Sequence, residues 1–364
     1  MKNCSKKLPP AYSPEVLAEV CNLCSIADDY NHLLAVAEKI ADDPDLSEYA
    51  RRLYEEFTEG DGSFADHDRP ADKLGDDADH IFLLTVLSGM PTALKRYRER
   101  NTPPEIIAAT LDFSCYANTN TDILPKACTV RLLPRQTAYC RRYYKAEIFR
   151  LGRFHFTLAC GKRDLPAVLF NRKDRSRKIL LSSDQVFYDD DGFVDDRNPT
   201  WLTRASLSER AISGNPINSN GTASRERQSF SADEWSWQYG AREVIDMHIP
   251  AGGGMTPEAS RASLKKAFEF FAGKSAVIHC NSWIFNPELQ GLAGTDHITA
   301  LMKMGHLFPV KSTGRDGMFF LFGRETDDWS DLPRDTTLQR SVLDYMRRGG
   351  KLRSGGIFFF ADEL

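Results

Sequence analysis

The chain has 364 residues, 41% of them hydrophobic and 27% charged, which suits a globular protein of two domains and excludes disordered, collagen-like and coiled-coil classes. No apolar run reaches the ~20 residues needed to span a bilayer, so no membrane association is expected. The net charge of −4 is uneven: residues 1–90 hold 8 Lys and Arg against 19 Asp and Glu (−11), and the remainder 39 against 32 (+7).

That balance gives no general attraction to nucleic acid, and an anionic ligand belongs with the basic body. The start M-K-N-C-S-K-K has no apolar stretch behind it, so no secretory signal is read. Eight cysteines in a chain of this size do not make a disulfide framework. A reduced, cytoplasmic protein is expected.

The first third reads as helix after helix. Residues 13–27 carry a helical stripe through Val16, Leu17, Val20, Cys21 and Cys24, with Ser13 and Pro14 as cap and first turn. Cys21 and Cys24 form a C-x-x-C, yet no second Cys or His pair stands at zinc-like spacing, and the reading is buried thiols. Residues 45–58 repeat the period, 78–89 are apolar all round and predict a central helix, and 103–117 open on Thr102 and two prolines.

After about residue 150 the period changes to two. Phe154, Phe156 and Leu158 alternate with Arg153, His155 and Thr157, and 167–170 and 178–181 read as strands joined by a polar turn. Residues 182–240, rich in Asp, Asn, Ser and Gly, read as a long functional or mobile loop. Strands over 243–249, 276–280, 317–323 and 357–360 then alternate with helices over 257–272, 296–305 and 335–347. This ordering implies an α/β domain with a mixed sheet.

The strongest local signal is E-V-I-D-M-H-I-P-A-G-G-G-M-T-P-E, residues 243–258. A strand runs into three glycines and then a helix for which Thr256 caps, Pro257 opens and Glu258 favours the dipole. Bare backbone N–H groups before a helix N-terminus suit a phosphate or pyrophosphate. A turn without a ligand is the other reading, because neither G-K-[ST] nor G-x-G-x-x-G is present. Asp246 and His248 share one strand face, as a general base or as a hydrogen-bonded pair. His279, Cys280 and Ser282 emerge at the end of the next strand, where α/β sheets hold ligands. The adjacent His279 and Cys280 point to opposite faces, a poor geometry for a thiol dyad. No metal-ligand motif is paired, and no metal is expected.

H-I-P-A-G-G-G-M-T-P-E-A, S-L-K-K-A-F-E-F-F, C-N-S-W-I-F-N-P-E-L and L-P-R-D-T-T-L-Q-R-S-V-L-D-Y-M together resemble a bacterial family. Its members join an N-terminal helical domain to a C-terminal domain similar to GNAT acyltransferases, which use acyl-CoA. F-R-L-G-R-F-H-F at 149–156 fits the entry to that domain. The resemblance implies a helical domain over 1–147 and a GNAT-like mixed sheet with flanking helices over 148–364, an α/β (α+β) architecture. It implies acetyl-CoA or another acyl-CoA as cosubstrate, cradled by Gly252, Gly253, Gly254, Met255 and Thr256, with the acyl arm along Met247 to Ile249. An unknown amine acceptor would attack the thioester directly. His248 or Asp246 would then move its proton, and Ser282 would serve the leaving thiolate.

The loop departs from the usual GNAT pattern, in which Arg or Gln precedes x-x-G-x-G or x-x-G-x-A. Pro250 removes one N–H, and Asn281, Ser282 and Trp283 stand where many GNATs have Tyr. A degenerate fold used for ligand binding or interaction is therefore the alternative to an enzyme.

Overall fold

The computed structural model describes residues 7–60, 64, 67–116, 130–160, 165–238, 243–250 and 254–364. They form two compact units, Met1–Leu151 with Pro250–Gly253, and Gly152–Ile249 with Gly254–Leu364.

The first unit is helical: α1 (Pro14–Leu23), α2 (Tyr30–Asp42), α3 (Pro44–Glu59), α4 (Ala71–Leu74), α5 (His80–Glu99), α6 (Pro104–Thr110) and α7 (Pro134–Tyr144), followed by strand β1 (Ile148–Leu151). Helix α5 is the centre, as its all-round apolar sequence requires, and every residue from His80 to Met90 is buried. Its buried Thr85 and Ser88 hydroxyls donate to the carbonyls of Ile81 and Leu84, so neither is left unpaired. Helix α3 starts sharply because the Asp43 carboxylate accepts from the N–H groups of Asp45 and Leu46 ahead of Pro44. Cys21 and Cys24 are both buried free thiols. Burial pushes Cys21 up to about 11 and raises Cys24 further.

The second unit contains β2 (Phe154–Cys160), β3 (Ala167–Asn171), β4 (Lys178–Leu181), β5 (Phe187–Tyr188), β6 (Trp201–Leu202), β7 (Ser206–Leu207), β8 (Ala211–Gly214), β9 (Gln228–Ser231), β10 (Trp235–Gln238) and β11 (Glu243–His248). Then follow α8 (Pro257–Phe270), β12 (Val277–Ser282), α9 (Asp296–Met302), β13 (His306–Pro309), α10 (Met318–Phe322), α11 (Thr337–Arg347) and β14 (Gly355–Phe360).

Its main sheet orders the strands β2-β11-β12-β14-β13. The pair β11/β12 is parallel and its other ladders are antiparallel, giving the expected mixed sheet. A second sheet, β10-β3-β4, supplies the other half of the core. Strand β3 is buried on both faces: Val168 and Phe170 pack with Val244, Phe308, Phe358 and Phe360, while Ala167 and Leu169 pack with Leu181, Ile212 and Trp235. In β14, Gly356 is needed for close approach, since a Cβ there would stand 2.1 Å from the Phe308 ring.

Two sequence expectations change. Residues 182–240 are not one loop: β5 to β10 fold them into short antiparallel ribbons. Strands of two to four residues carry too little alternation to be read. Residues 317–323 form the helix α10 instead of a strand, while the sheet position goes to β13. The apolar run F-F-L-F has no period that separates the two states.

Candidate active site

The site grows from an incomplete ladder. Strand β11 pairs with β2 along its whole length, from Glu243 opposite Cys160 to His248 opposite His155. Strand β12 pairs with β14 through Ser282. Between β11 and β12, however, only Ile245 with Ile278 and Asp246 with His279 are in register. Beyond the second pair, toward the C-terminal ends, β11 is in register only with β2 and β12 only with β14. Met247 and His248 therefore lie past the last β11/β12 register pair.

The floor of the site is a hydrogen-bonded pair. Asp246 Oδ1 lies 2.7 Å from His279 Nδ1, and His279 Nε2 lies 2.8 Å from Asn281 Oδ1. The His279 side chain is fully buried and that of Asp246 nearly so, at 0% and 13% exposure. The imidazole stacks on Phe308 and is flanked by Phe358, with centroids 6.0 and 5.9 Å away. Asp246 Oδ1 accepts a hydrogen bond from His279 Nδ1–H, which fixes the ring. The exposed Asn281 side chain lies at the Nε2 end of the ring.

His248 and Ser282 lie further out along the two strands. His248 is half-buried, on the same face as Asp246 and opposite the buried His155. Asp246, His248, His155 and His279 therefore make one polar strip across three strands. Sequence reasoning found the first two. It missed His155 and His279 as partners because their juxtaposition depends on strand register. Ser282 is half-buried and its hydroxyl accepts from Ile284 N at 3.4 Å, starting the turn after β12.

Helix α8 begins just past β11. Thr256 is its N-cap, its hydroxyl accepting from Ala259 N at 3.2 Å, and Pro257 opens the helix. The helix is fixed in the unit by buried Ser263, whose hydroxyl accepts from Phe154 N at 3.1 Å. Gly254 is exposed with φ +90°, and a Cβ there would meet nothing within 4 Å. Open space in front of backbone N–H groups and a 14-residue helix is the environment an anion requires. Met255, Thr256 and Ile249 are half-buried. Gly252 and Gly253 lie outside the described residues.

The family model of the GNAT-like C-terminal domain matches residues 148–358, and that of the N-acyltransferase N-terminal domain matches residues 15–114. None of the curated proteins compared matches the chain. Among solved structures, an acyltransferase mutant in complex with octanoyl-CoA has a TM-score of 0.59 at 16% identity, covering 97% of this chain and 89% of that one. An acyltransferase in complex with decanoyl-CoA and teicoplanin has a TM-score of 0.58 at 16% identity, covering 99% and 91%. At that identity the likeness establishes a shared fold. With more than half its length matched by one model, the chain belongs to the family with a GNAT-like C-terminal domain, here following an N-acyltransferase N-terminal domain.

Proposed function

We propose that the protein is an acyl-CoA-dependent N-acyltransferase that moves an acyl group directly from the CoA thioester to an amine. The observation that carries this reading is the end of the β11/β12 register shortly before the capped N-terminus of α8. A pantetheine arm is a flexible chain with two amides, suited to lying along strand backbone beyond the end of the β11/β12 register. The pyrophosphate at the other end of the arm needs the N–H groups of Gly254, Met255 and Thr256, together with those of Gly252 and Gly253.

In this reading the thioester carbonyl lies beside Met247 to Ile249, where a backbone N–H stabilises the developing oxyanion. The acceptor nitrogen forms its bond to the carbonyl carbon as the C–S bond breaks. His248 takes the nitrogen's proton, because it lies past the last β11/β12 pair and is half-buried. Asp246 is committed to His279 and shapes the floor. Ser282 gives a proton to the departing thiolate and regains one, through solvent, from the protonated His248. The N–H of the new amide and the thiol of free CoA complete the balance.

The similar acyltransferases hold octanoyl-CoA and decanoyl-CoA, so these are the donors to try first, with acetyl-CoA beside them. Calorimetry with each donor, followed by thiol release over a panel of amines, tests the proposal. Saturable binding and amine-dependent thiol release support an enzyme. Binding without release across the panel favours the second reading, a GNAT-like fold that binds ligands, to which Pro250 and the altered glycine loop lend weight. No binding removes both.

A further inference from the structure

A second cluster of chemistry lies within the first unit. His32 on α2 meets Asp77, the last residue of the 3-10 turn Gly75–Asp77, and His80, the first residue of α5. Asp77 Oδ1 is 2.9 Å from His32 Nε2 and 3.5 Å from His80 Nδ1, and the two imidazole centroids are 4.9 Å apart. One ligating atom from each residue lies within 4.8 Å of the other two. Nitrogen and oxygen ligands held at about 2.0–2.2 Å from a tetrahedral ion stand about 3.3–3.5 Å apart. The separations seen here straddle that edge length, so small side-chain rotations would close the three groups around one ion.

His80 supplies an independent argument. Its side chain is fully buried, and neither ring nitrogen makes a hydrogen bond among the described residues. A buried imidazole without partners is costly, yet here it faces a carboxylate oxygen just outside bonding geometry. An ion between the three residues would satisfy it.

The surroundings fit the same reading. Lys39 Nζ sits 3.3 Å from Oδ2 of Asp77, which orients the carboxylate and leaves Oδ1 toward the imidazoles. Asp79 is engaged by Arg69 through both of its oxygens. His32 and Asp77 are 26% and 18% exposed, enough for an ion and a water ligand to enter. The unit is acidic over residues 1–90, which favours a cation. Two imidazole nitrogens and one carboxylate oxygen suit zinc and its first-row neighbours, whereas calcium and magnesium prefer oxygen alone.

We propose that His32, Asp77 and His80 form a binding site for a divalent transition-metal ion of the zinc class, which ties α2 to the beginning of α5. The spacing Asp77-x-x-His80 puts two ligands on neighbouring turns, while His32 comes from 45 residues earlier. No local motif therefore marks the site in the sequence.

The test uses the full chain, stripped with a chelator and titrated with CoCl2 while its visible spectrum is recorded. The expected result is one Co2+ bound per chain, with d–d bands that an equivalent of ZnCl2 abolishes and a higher melting midpoint. His80→Ala would open a buried cavity, so His32→Ala and Asp77→Asn are the variants to use, with circular dichroism confirming their folds. Each should weaken Co2+ binding by at least about 100-fold, beyond the 10–100-fold that losing an outer-shell partner costs. Absence of d–d bands overturns the proposal. So does equal affinity in wild type and both variants, or a strong thiolate charge-transfer band that assigns the ion to cysteines.

Discussion

Asp246 and His279 occupy the last register pair of the parallel β11/β12 ladder, and their side chains are joined there, Oδ1 to Nδ1, at 2.7 Å. This bond therefore closes the two-pair β11/β12 ladder. Replacing Asp246 with Ala leaves a buried imidazole without its acceptor, a loss of about 1–3 kcal/mol. Urea denaturation of Asp246→Ala should show a lower midpoint with an unchanged slope. An unaltered midpoint would mean the bond contributes nothing to the floor of the site.

His248 stands further out on the same strand face and, in the proposed chemistry, removes the amine proton. His248→Gln should lower kcat by about 10²–10⁴-fold, the usual contribution of general-base catalysis, and leave acyl-CoA affinity unchanged. Steady-state thiol release and calorimetry on the same preparation separate the two quantities. Equal losses in affinity and rate would make His248 a binding residue instead.

Gly254 has φ +90° and is surrounded by open space. Gly254→Val should weaken acyl-CoA binding by about 1–3 kcal/mol, because it crowds the N–H groups that would meet a pyrophosphate. Gly273, with φ +77° and equally open surroundings past the far end of α8, controls for backbone strain. Gly273→Val should lower the melting midpoint similarly without changing affinity.

The thiols of Cys21 and Cys24 should resist alkylation in the native protein. With Cys21 raised to about 11, its thiolate fraction at pH 8 falls about 100-fold below that of an exposed cysteine. Iodoacetamide labelling followed by peptide mass spectrometry, with and without urea, measures the difference. Rapid labelling of the folded protein would contradict the buried positions.

The features legible in the sequence were those with local causes. The C-x-x-C lay on an apolar helical stripe and is buried; Thr256, Pro257 and Glu258 announced α8; and 243–249 and 276–280 were recognisable as strands. What stayed hidden depended on distant register. Nothing local says that Asp246 would meet His279, because that requires β11 and β12 to be parallel and aligned at one particular pair. Helix α2 passed unread although Leu33, Val36, Ala37 and Ile40 are buried along one face. Strand β13, four residues ending in Pro309, is too short to alternate visibly. The Phe319 to Phe322 run looked like a strand because its four residues are all apolar.

The central claim is that an acyl-CoA enters between β11 and β12 with its pyrophosphate against the start of α8. Hydrogen–deuterium exchange with saturating decanoyl-CoA tests it most directly, since backbone N–H groups are the proposed contacts. The account predicts slowed exchange in peptides spanning 245–260 and 277–284, with the strongest effect from Met247 to Thr256. Bound decanoyl-CoA that leaves both segments unprotected, while slowing exchange elsewhere in the chain, would contradict it.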